Sequence, residues 1–403
     1  MNIPSGPLTG TRVVEMGNLV GAPYGGMALA DLGAEVIKVE LPGGDLSRAF
    51  PPFVATESAF YLAMNRGKRS VALHPRHPKA RRWLMELVNS ADVLLHNLRH
   101  GAMERMGLGE SDVRETNPAI VYAVVSAFGT EGPDAARPGI DLIFQAESGM
   151  VSIAGHADDP PQKTATTIGD FLAGTNIALL ICAALVERAR TGQGKKVEVS
   201  LRDGLIAAQS TWNAIAVAEQ GQPPRMGTAS PFTAPNQLFE AQGGFLAVAI
   251  VADAHFRRLC EVIGRPDLAD RYPTNPDRVQ HREMIAEELG AVLATGDVDV
   301  WEEQFRDAGV PAGKVLTLPE VMDDAQALHQ EMFFQEIHPR LGVFAQTGSP
   351  FRMNSEPVRA DMPAPSLGEH TAEVLAELGA TPSEIAELVD VGAAINSVGT
   401  RAT

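Results

Sequence analysis

The order of apolar segments predicts an α/β fold built on a parallel sheet. Three observations carry this expectation. The stretch "TRVVEMG", "APYGGMALADLG", "AEVIKVE" alternates a buried-strand run, a helix with small residues on one face and a second strand run, which is one βαβ unit. The same alternation continues through the first 130 residues. Near residue 221 the composition changes to "GQPPRMGTASPFTAPNQ", rich in Pro, Gly, Ser and Thr, which marks a linker or loop before a second, smaller domain.

The elements follow in order. "TRVVEMG" is a strand closed by Gly17, and "AEVIKVE" is the second strand. "RSVALH" is strand-like, "PKARRWLMELVNSA" has the period of an amphipathic helix, and "DVLLHN" is a strand. "SDVRETNP" is helical, and "IVYAVVSAFG" is another strand. These segments predict a doubly wound domain with its ligands at the carboxyl ends of the strands. An apolar helix over 175–190 is closed by "RTGQG", then come the strand "KKVEVSL" and one long helix "RDGLIAAQSTWNAIAVAEQ". "LFEAQGGFLAVAI" predicts a hairpin turning at Gln242-Gly243-Gly244. Short helices such as "HFRRLCEVIG" and "VWEEQFRDAG" follow, and "SLGEHTAEVLAELG" predicts a helix opened near Ser366.

Composition bounds the function. The 403 residues are 45% hydrophobic and 21% charged, enough for a large core. A net charge of −17 argues against nucleic acid, which normally needs a basic face. Cys182 and Cys260 each lie in apolar helical runs and are expected as core thiols. No Cys/His cluster has metal spacing, so no metal is expected. The start "MNIPSGPLTGTRVVEMG" lacks the pattern of a signal peptide, and the run "IALLICAALV" is about half a membrane span. A soluble cytoplasmic protein with no membrane partner is expected.

Asp170, in "TTIGDFLAG", poses the main question. An Asp at the mouth of an apolar helix is commonly a cap that accepts free backbone N–H groups. The same helix-end field can hold a carboxylate ionised against desolvation, and such a group can attack an acyl carbon. Gly169 and Gly174 allow close approach and could leave N–H groups facing an oxyanion. The glycines Gly17, Gly21, Gly25 and Gly26 do not make the GxGxxG fingerprint, although Glu40 ends the second strand where a ribose-binding acid would sit. The alternative is that small residues let the helix pack close to the sheet. Arg76, Arg99 and Arg105, with Lys38, Lys68 and Arg69, are surface charges singly and a phosphate site together. His156, in "AGHADDPP", is expected to be exposed.

Several stretches together resemble the family III CoA-transferases and the related α-methylacyl-CoA racemases. They are "GAPYGGMALADLGAEVIKVELPGGDLSR", "NRGKRSVAL", "ADVLLHNLRHGAMERMGL", "GIDLIFQAESGM", "IGDFLAG", "ALVERARTGQGKKVEVSLRDG" and "LGEHTAEVLAELG", in family order. The resemblance implies a large Rossmann-like domain from residues 1–200 and 335–403, a linker helix over 201–224, and a small domain over 225–334. It also implies two subunits interlocked as a homodimer. It places the nucleophile on Asp170 and CoA contacts on Leu19, Val20, Gly21, Leu73, Arg76, Asn97, Leu98 and Arg105. Leu41 departs from relatives that carry an arginine near the CoA nucleotide.

The racemase branch needs a His about thirty residues before the aspartate. That position is Ile140, in Gly139-Ile140-Asp141, and isoleucine cannot carry a proton. The resemblance therefore implies CoA transfer from an acyl-CoA to a small carboxylic acid, through aspartyl anhydride and aspartyl-CoA thioester intermediates. CoA enters as substrate, with no permanently bound cofactor. A non-catalytic acyl-CoA binder is the other class of reading. Substrate choice is expected in the 225–240 loop, where Arg225 is the one candidate clamp for an acid, and in the small domain.

Overall fold

The computed structural model describes residues 6–397. The chain divides into two compact units. One is formed by the chain up to Ser148, by Thr164–Ser210 and by the chain from Ala325 on; the other by Gly149–Lys163 and Thr211–Asp324.

The large unit holds a seven-stranded sheet. In chain order its elements are β1 (Arg12–Met16), α1 (Gly21–Asp31), β2 (Glu35–Glu40), β3 (Lys68–Leu73), α2 (Pro78–Asn89), β4 (Val93–His96), β5 (Val121–Ser126), α3 (Asp141–Glu147), α4 (Ile168–Thr191), β6 (Lys196–Ser200), α5 (Leu201–Ala208) and β7 (Ala394–Ile395). The strand order is β7-β3-β2-β1-β4-β5-β6. The first six strands run parallel, and β7 closes the β3 edge antiparallel. Both chain regions therefore build one sheet. The order reverses between β1 and β4, so their carboxyl ends flank the crevice where doubly wound sheets bind ligands.

Strand alternation gives the sheet two unlike faces. Val14, Met16, Ile37, Val39, Val71, Leu73 and Leu94 pack with Trp83, Leu84 and Leu87 of α2 in an apolar core. The opposite face carries Glu15, Lys38, Glu40, Lys68 and Ser70, all buried. Lys38 Nζ lies 2.9 Å from Glu15 and 2.8 Å from Asp45, and Lys68 Nζ lies 2.8 Å from the other Glu15 oxygen. Burial alone would depress the Lys38 ammonium, but Glu15 and Asp45 hold it above the usual lysine range. At Lys68 burial outweighs Glu15, and its pKa falls to about 8.

The α1 glycines are set by this face and by α4. A methyl on Gly26 would lie 2.1 Å from Glu15 Oε2. A methyl on Gly25 would lie 2.8 Å from Ile177, and one on Gly174 would lie 2.8 Å from the Gly21 carbonyl. The glycines thus serve close packing, as the alternative to a dinucleotide fingerprint holds. Gly26→Ala is expected to lower unfolding free energy by about 1–3 kcal/mol in urea titrations. An unchanged midpoint would remove the packing argument.

α4 runs for 24 residues and ends at Gly192, whose φ of 71° and N–H to Arg188 O close the helix. By length and composition it could cross a membrane, which the ten-residue apolar run did not suggest. Ala173, Gly174, Ile177, Ala178, Ile181 and Ala184 are buried at helical spacing, as in a core helix. Leu179, Leu180 and Val186 are exposed.

The smaller unit has a three-stranded antiparallel sheet of Asn236–Ala241, Gly244–Ala249 and Ala312–Lys314. Its hairpin turns at Gln242-Gly243, where Gly243 takes φ 86°. Phe239, Leu246, Phe256, Leu259, Cys260 and Phe305 form its core. Cys260 is a buried free thiol, pushed up to about 12 mainly by burial. Cys182 is also free, on α4.

Three sequence expectations differ from the structure. The segment 201–224 is two helices, α5 and Ser210–Glu219, broken at Gln209, whose side-chain amide donates to Leu205 O. An unbroken apolar period hides that break. The region near 335 contains a hairpin, Phe333–His338 with Gly342–Thr347, that was not anticipated. The late helix is Thr371–Glu377, because the Ser366 N–H is turned onto the Glu369 carboxylate.

Candidate active site

Asp170 is half-buried in the first turn of α4. It does not cap the helix. The N-cap is Thr167, which makes no side-chain cap bond, and the Gly169 N–H donates instead to Asp141 Oδ1 at 2.9 Å. Asp170 faces the Gly21 N–H, the first donor of α1, where helix geometry leaves backbone N–H groups unpaired, and this N–H favours the ionised carboxylate. Burial foremost, and then the charge of Asp141, push Asp170 up to about 6; the Gly21 N–H only partly opposes them. The helix-end field was expected to keep this carboxylate low, and desolvation outweighs it.

The oxyanion donors inferred from glycines are corrected. The Gly169 N–H is occupied by Asp141, and Gly174 lies inside α4 against the α1 backbone.

The turn between β1 and α1 is clamped from two sides. Asn97 accepts the Asn18 N–H and donates to Asn18 O, both at 2.9 Å. Asp45 Oδ1 accepts the Leu19 N–H at 3.1 Å and two bonds from Ser47. Leu19 sits at φ 65°, a left-handed conformation costly for a branched side chain, and these bonds hold it there. Burial would raise the Asp45 carboxyl, but Lys38 holds it below the usual range. Val20 is buried beneath the turn.

The other end of the turn opens on a cleft of about 670 Å³ at the strand carboxyl ends. Gly17, Asn18, Leu73, Arg76, Leu98, Arg99 and Arg105 are among its lining residues. Thus Leu73, Arg76, Leu98 and Arg105 come together there, while Leu19, Val20, Gly21 and Asn97 form or hold the turn between cleft and Asp170. Among the described residues none of Arg76, Arg99 and Arg105 is in an ion pair. The other cations grouped with them are spent: Lys38 and Lys68 are in the buried network, and Arg69 pairs with Glu35, Glu373 and Glu377. Glu40 is no ribose ligand either. Its oxygens bind Arg48 at 2.7 Å, Ser70 at 2.6 Å and the Asp45 N–H at 2.9 Å. Leu41, 55% exposed, lies on the cleft wall.

In the smaller unit Arg225 is not free to clamp an acid. It donates to the carbonyls of His156, Ala157 and Asp159. His156 is exposed, as expected, with its ring over Gly227. Arg282 donates to Ser230 O and Pro231 O, so the loop after 225 is pinned along its length.

A sequence profile described as CoA-transferase family III matches residues 8–371. The chain belongs to CoA-transferase family III. Among similar curated proteins, the succinyl-CoA:glutarate CoA-transferase of Mus musculus is 34% identical over 92% of this chain and 86% of its own length. The acetyl-CoA:oxalate CoA-transferase of Acetobacter aceti is 33% identical over 94% of this chain and 97% of its own. A CAIB/BAIF family protein from Brucella suis superposes with a TM-score of 0.83 at 32% identity, covering 93% of this chain and 99% of that one. The protein is therefore a family III CoA-transferase, an enzyme acting on CoA thioesters.

Two carboxylates that hold the backbone around Asp170 and the first turn carry little signal in sequence. Asp141 appeared only as the tail of Gly-Ile-Asp, and Asp45 only within "LPGGDLSR". Their signal was weak, because each acts through a backbone N–H far away in sequence.

Proposed function

We propose that the enzyme moves CoA from an acyl-CoA to a small carboxylic acid with Asp170 as covalent carrier. One observation carries this reading. The turn Gly17–Gly21 borders the arginine-lined cleft at one end and turns its last N–H toward Asp170 at the other. A CoA thioester has that shape, with phosphates at one end and a reactive carbonyl at the other.

Ionised Asp170 attacks the thioester carbonyl; the C–S bond breaks, giving a mixed anhydride and CoA thiolate. The thiolate attacks the Asp170 carbonyl carbon and releases the donor acid, leaving an aspartyl-CoA thioester. The Gly21 N–H is already aimed at the Asp170 oxygen that gains charge in this step. The acceptor carboxylate then displaces CoA from the aspartyl carbon, and the thiolate takes the acyl group from the new anhydride. Electrons balance at each exchange, and Asp170 returns as a carboxylate. Ile140 is the N-cap position just before α3, with its side chain largely exposed, and it offers no second base for α-proton exchange. The names of the relatives favour acids such as succinate, glutarate or oxalate as partners in exchange.

Incubation with acyl-CoA donors and isotope-labelled acceptor acids tests this by mass spectrometry. Hydroxylamine should displace CoA or the donor acid from the aspartyl carbonyl and leave a hydroxamate on the peptide containing Asp170. No label transfer across the panel, or an adduct on another residue, would overturn it. Arg76→Gln and Arg105→Gln should each raise KM for the acyl-CoA about tenfold and leave kcat within about threefold, as loss of a charge-assisted phosphate bond does. Equal losses in kcat would place these arginines elsewhere in the reaction.

The homodimer implied by resemblance is part of this proposal. Exposed Leu179, Leu180 and Val186 on α4, with Ile140 and Leu142 on and before α3, form apolar surface that a second copy would cover. Light scattering at the monomer mass would reject it.

A further inference from the structure

The carboxylate beside Asp170 has no role in the steps above, yet it is built in with care. Asp141 is 7% exposed and Gln145 is fully buried, one turn later on α3. Asp141 Oδ1 accepts the Gly169 N–H at 2.9 Å, and Oδ2 accepts the Gln145 side-chain amide. The side-chain oxygen Oε1 of Gln145 accepts the Thr164 N–H at 2.9 Å. Two α3 side chains thereby hold the segment that leads into α4 at both ends. A methyl on Gly169 would lie 2.9 Å from Asp141 Oδ1, so glycine there lets the carboxylate reach the backbone. Asp141 supplies the cap that Thr167 does not make.

We propose that Asp141 is a positioning residue of the transfer reaction: through the Gly169 N–H it fixes the peptide before Asp170 and sets its own carboxylate against the start of α4. The proposal rests on the reading of Asp170 as nucleophile. Several titratable or charged groups lie on the elements packed against α4. They are Asp141 and Glu147 on α3, Tyr24 and Asp31 on α1, Arg202 and Asp203 on α5, Lys196 and Glu198 on β6, and Tyr122 on β5. Of these, Asp141 is the one whose charge bears on Asp170, and it acts in the same direction as burial. A like charge disfavours the ionised form and makes the carboxylate more basic once ionised. Asp141 thus trades availability of the nucleophile at low pH for reactivity above it.

Asp141→Asn keeps an oxygen for the Gly169 N–H and removes the charge; Asp141→Ser does the same with a shorter side chain. The pH dependence of hydroxylamine-trapped Asp170 adduct is read in wild type and both variants. The rising limb is expected to move about one pH unit toward acid in a neutral variant, with a lower plateau. A limb that stays at its wild-type position in a folded variant overturns the proposal. Failure of both variants to fold also overturns it, in favour of a purely structural role. If wild type itself gives no Asp170 adduct, the reading of Asp170 fails, a result distinct from an unmoved limb.

Discussion

Asp170→Asn is expected to abolish CoA transfer, by about 10⁴-fold or more, while making the folded protein more stable at neutral pH. The first effect follows from removing the nucleophile, since an amide cannot form the anhydride. The second follows from burial. The Asp170 carboxyl is raised to about 6 in the folded chain, mainly by desolvation and next by Asp141. Between its unfolded value and about 6 the folded state binds more protons than the unfolded state. Stability therefore falls as pH rises through that window, and the cost is fully present above it. Relieving it should add about 1–2 kcal/mol at pH 7 and nothing below the unfolded pKa. Thermal unfolding at about pH 4 and about pH 7 checks the sign. Transfer activity retained by the Asn variant would dismiss Asp170 as carrier. A variant less stable than wild type at neutral pH would dismiss the electrostatic account.

Lys38→Met should be the most destabilising of the substitutions considered. Its ammonium is fully buried between Glu15 and Asp45, and it also donates to Gly17 O at 2.8 Å. Removing it leaves buried Asp45 with no cation and Glu15 with Lys68 alone, a loss of about 3–5 kcal/mol by analogy with broken buried ion pairs. Lys68→Met should cost less, because burial already draws that lysine toward neutrality at about 8. A functional consequence comes with the structural one. Asp45 would lose the charge that holds it as an acceptor for the Leu19 N–H, and the strained turn between cleft and Asp170 would relax. Any Lys38→Met that folds at reduced temperature should show a raised KM for acyl-CoA. Equal unfolding midpoints for the two variants would mean that the pairs do not differ as described.

The same network shows where sequence reading runs out. Val14, Ile37, Val71 and Leu94 announce themselves as strand cores by composition, and the parallel sheet follows from their alternation with helices. Glu15, Lys38 and Lys68 sit on the same strands but break the apolar pattern. From sequence, Lys38 and Lys68 are indistinguishable from phosphate ligands. Their pairing depends on the register Glu15↔Lys38 between β1 and β2, which no local pattern prints. Arg225 misleads in the same way: an arginine in a loop is available until three carbonyls occupy it.

The chain by itself determined the α/β architecture, the glycine-bearing first turn, the position of Asp170 at a helix start and the absence of a histidine at Ile140. These are local or periodic features, carried by residue type and spacing. Only the tertiary structure decided that Asp141 rather than Asp170 caps α4, that the Gly169 N–H is already bound, and that, among the described residues, no carboxylate pairs with Arg76, Arg99 or Arg105 at the cleft. Those outcomes depend on which groups distant in sequence compete for the same donor, and burial settles that competition only after the chain has folded.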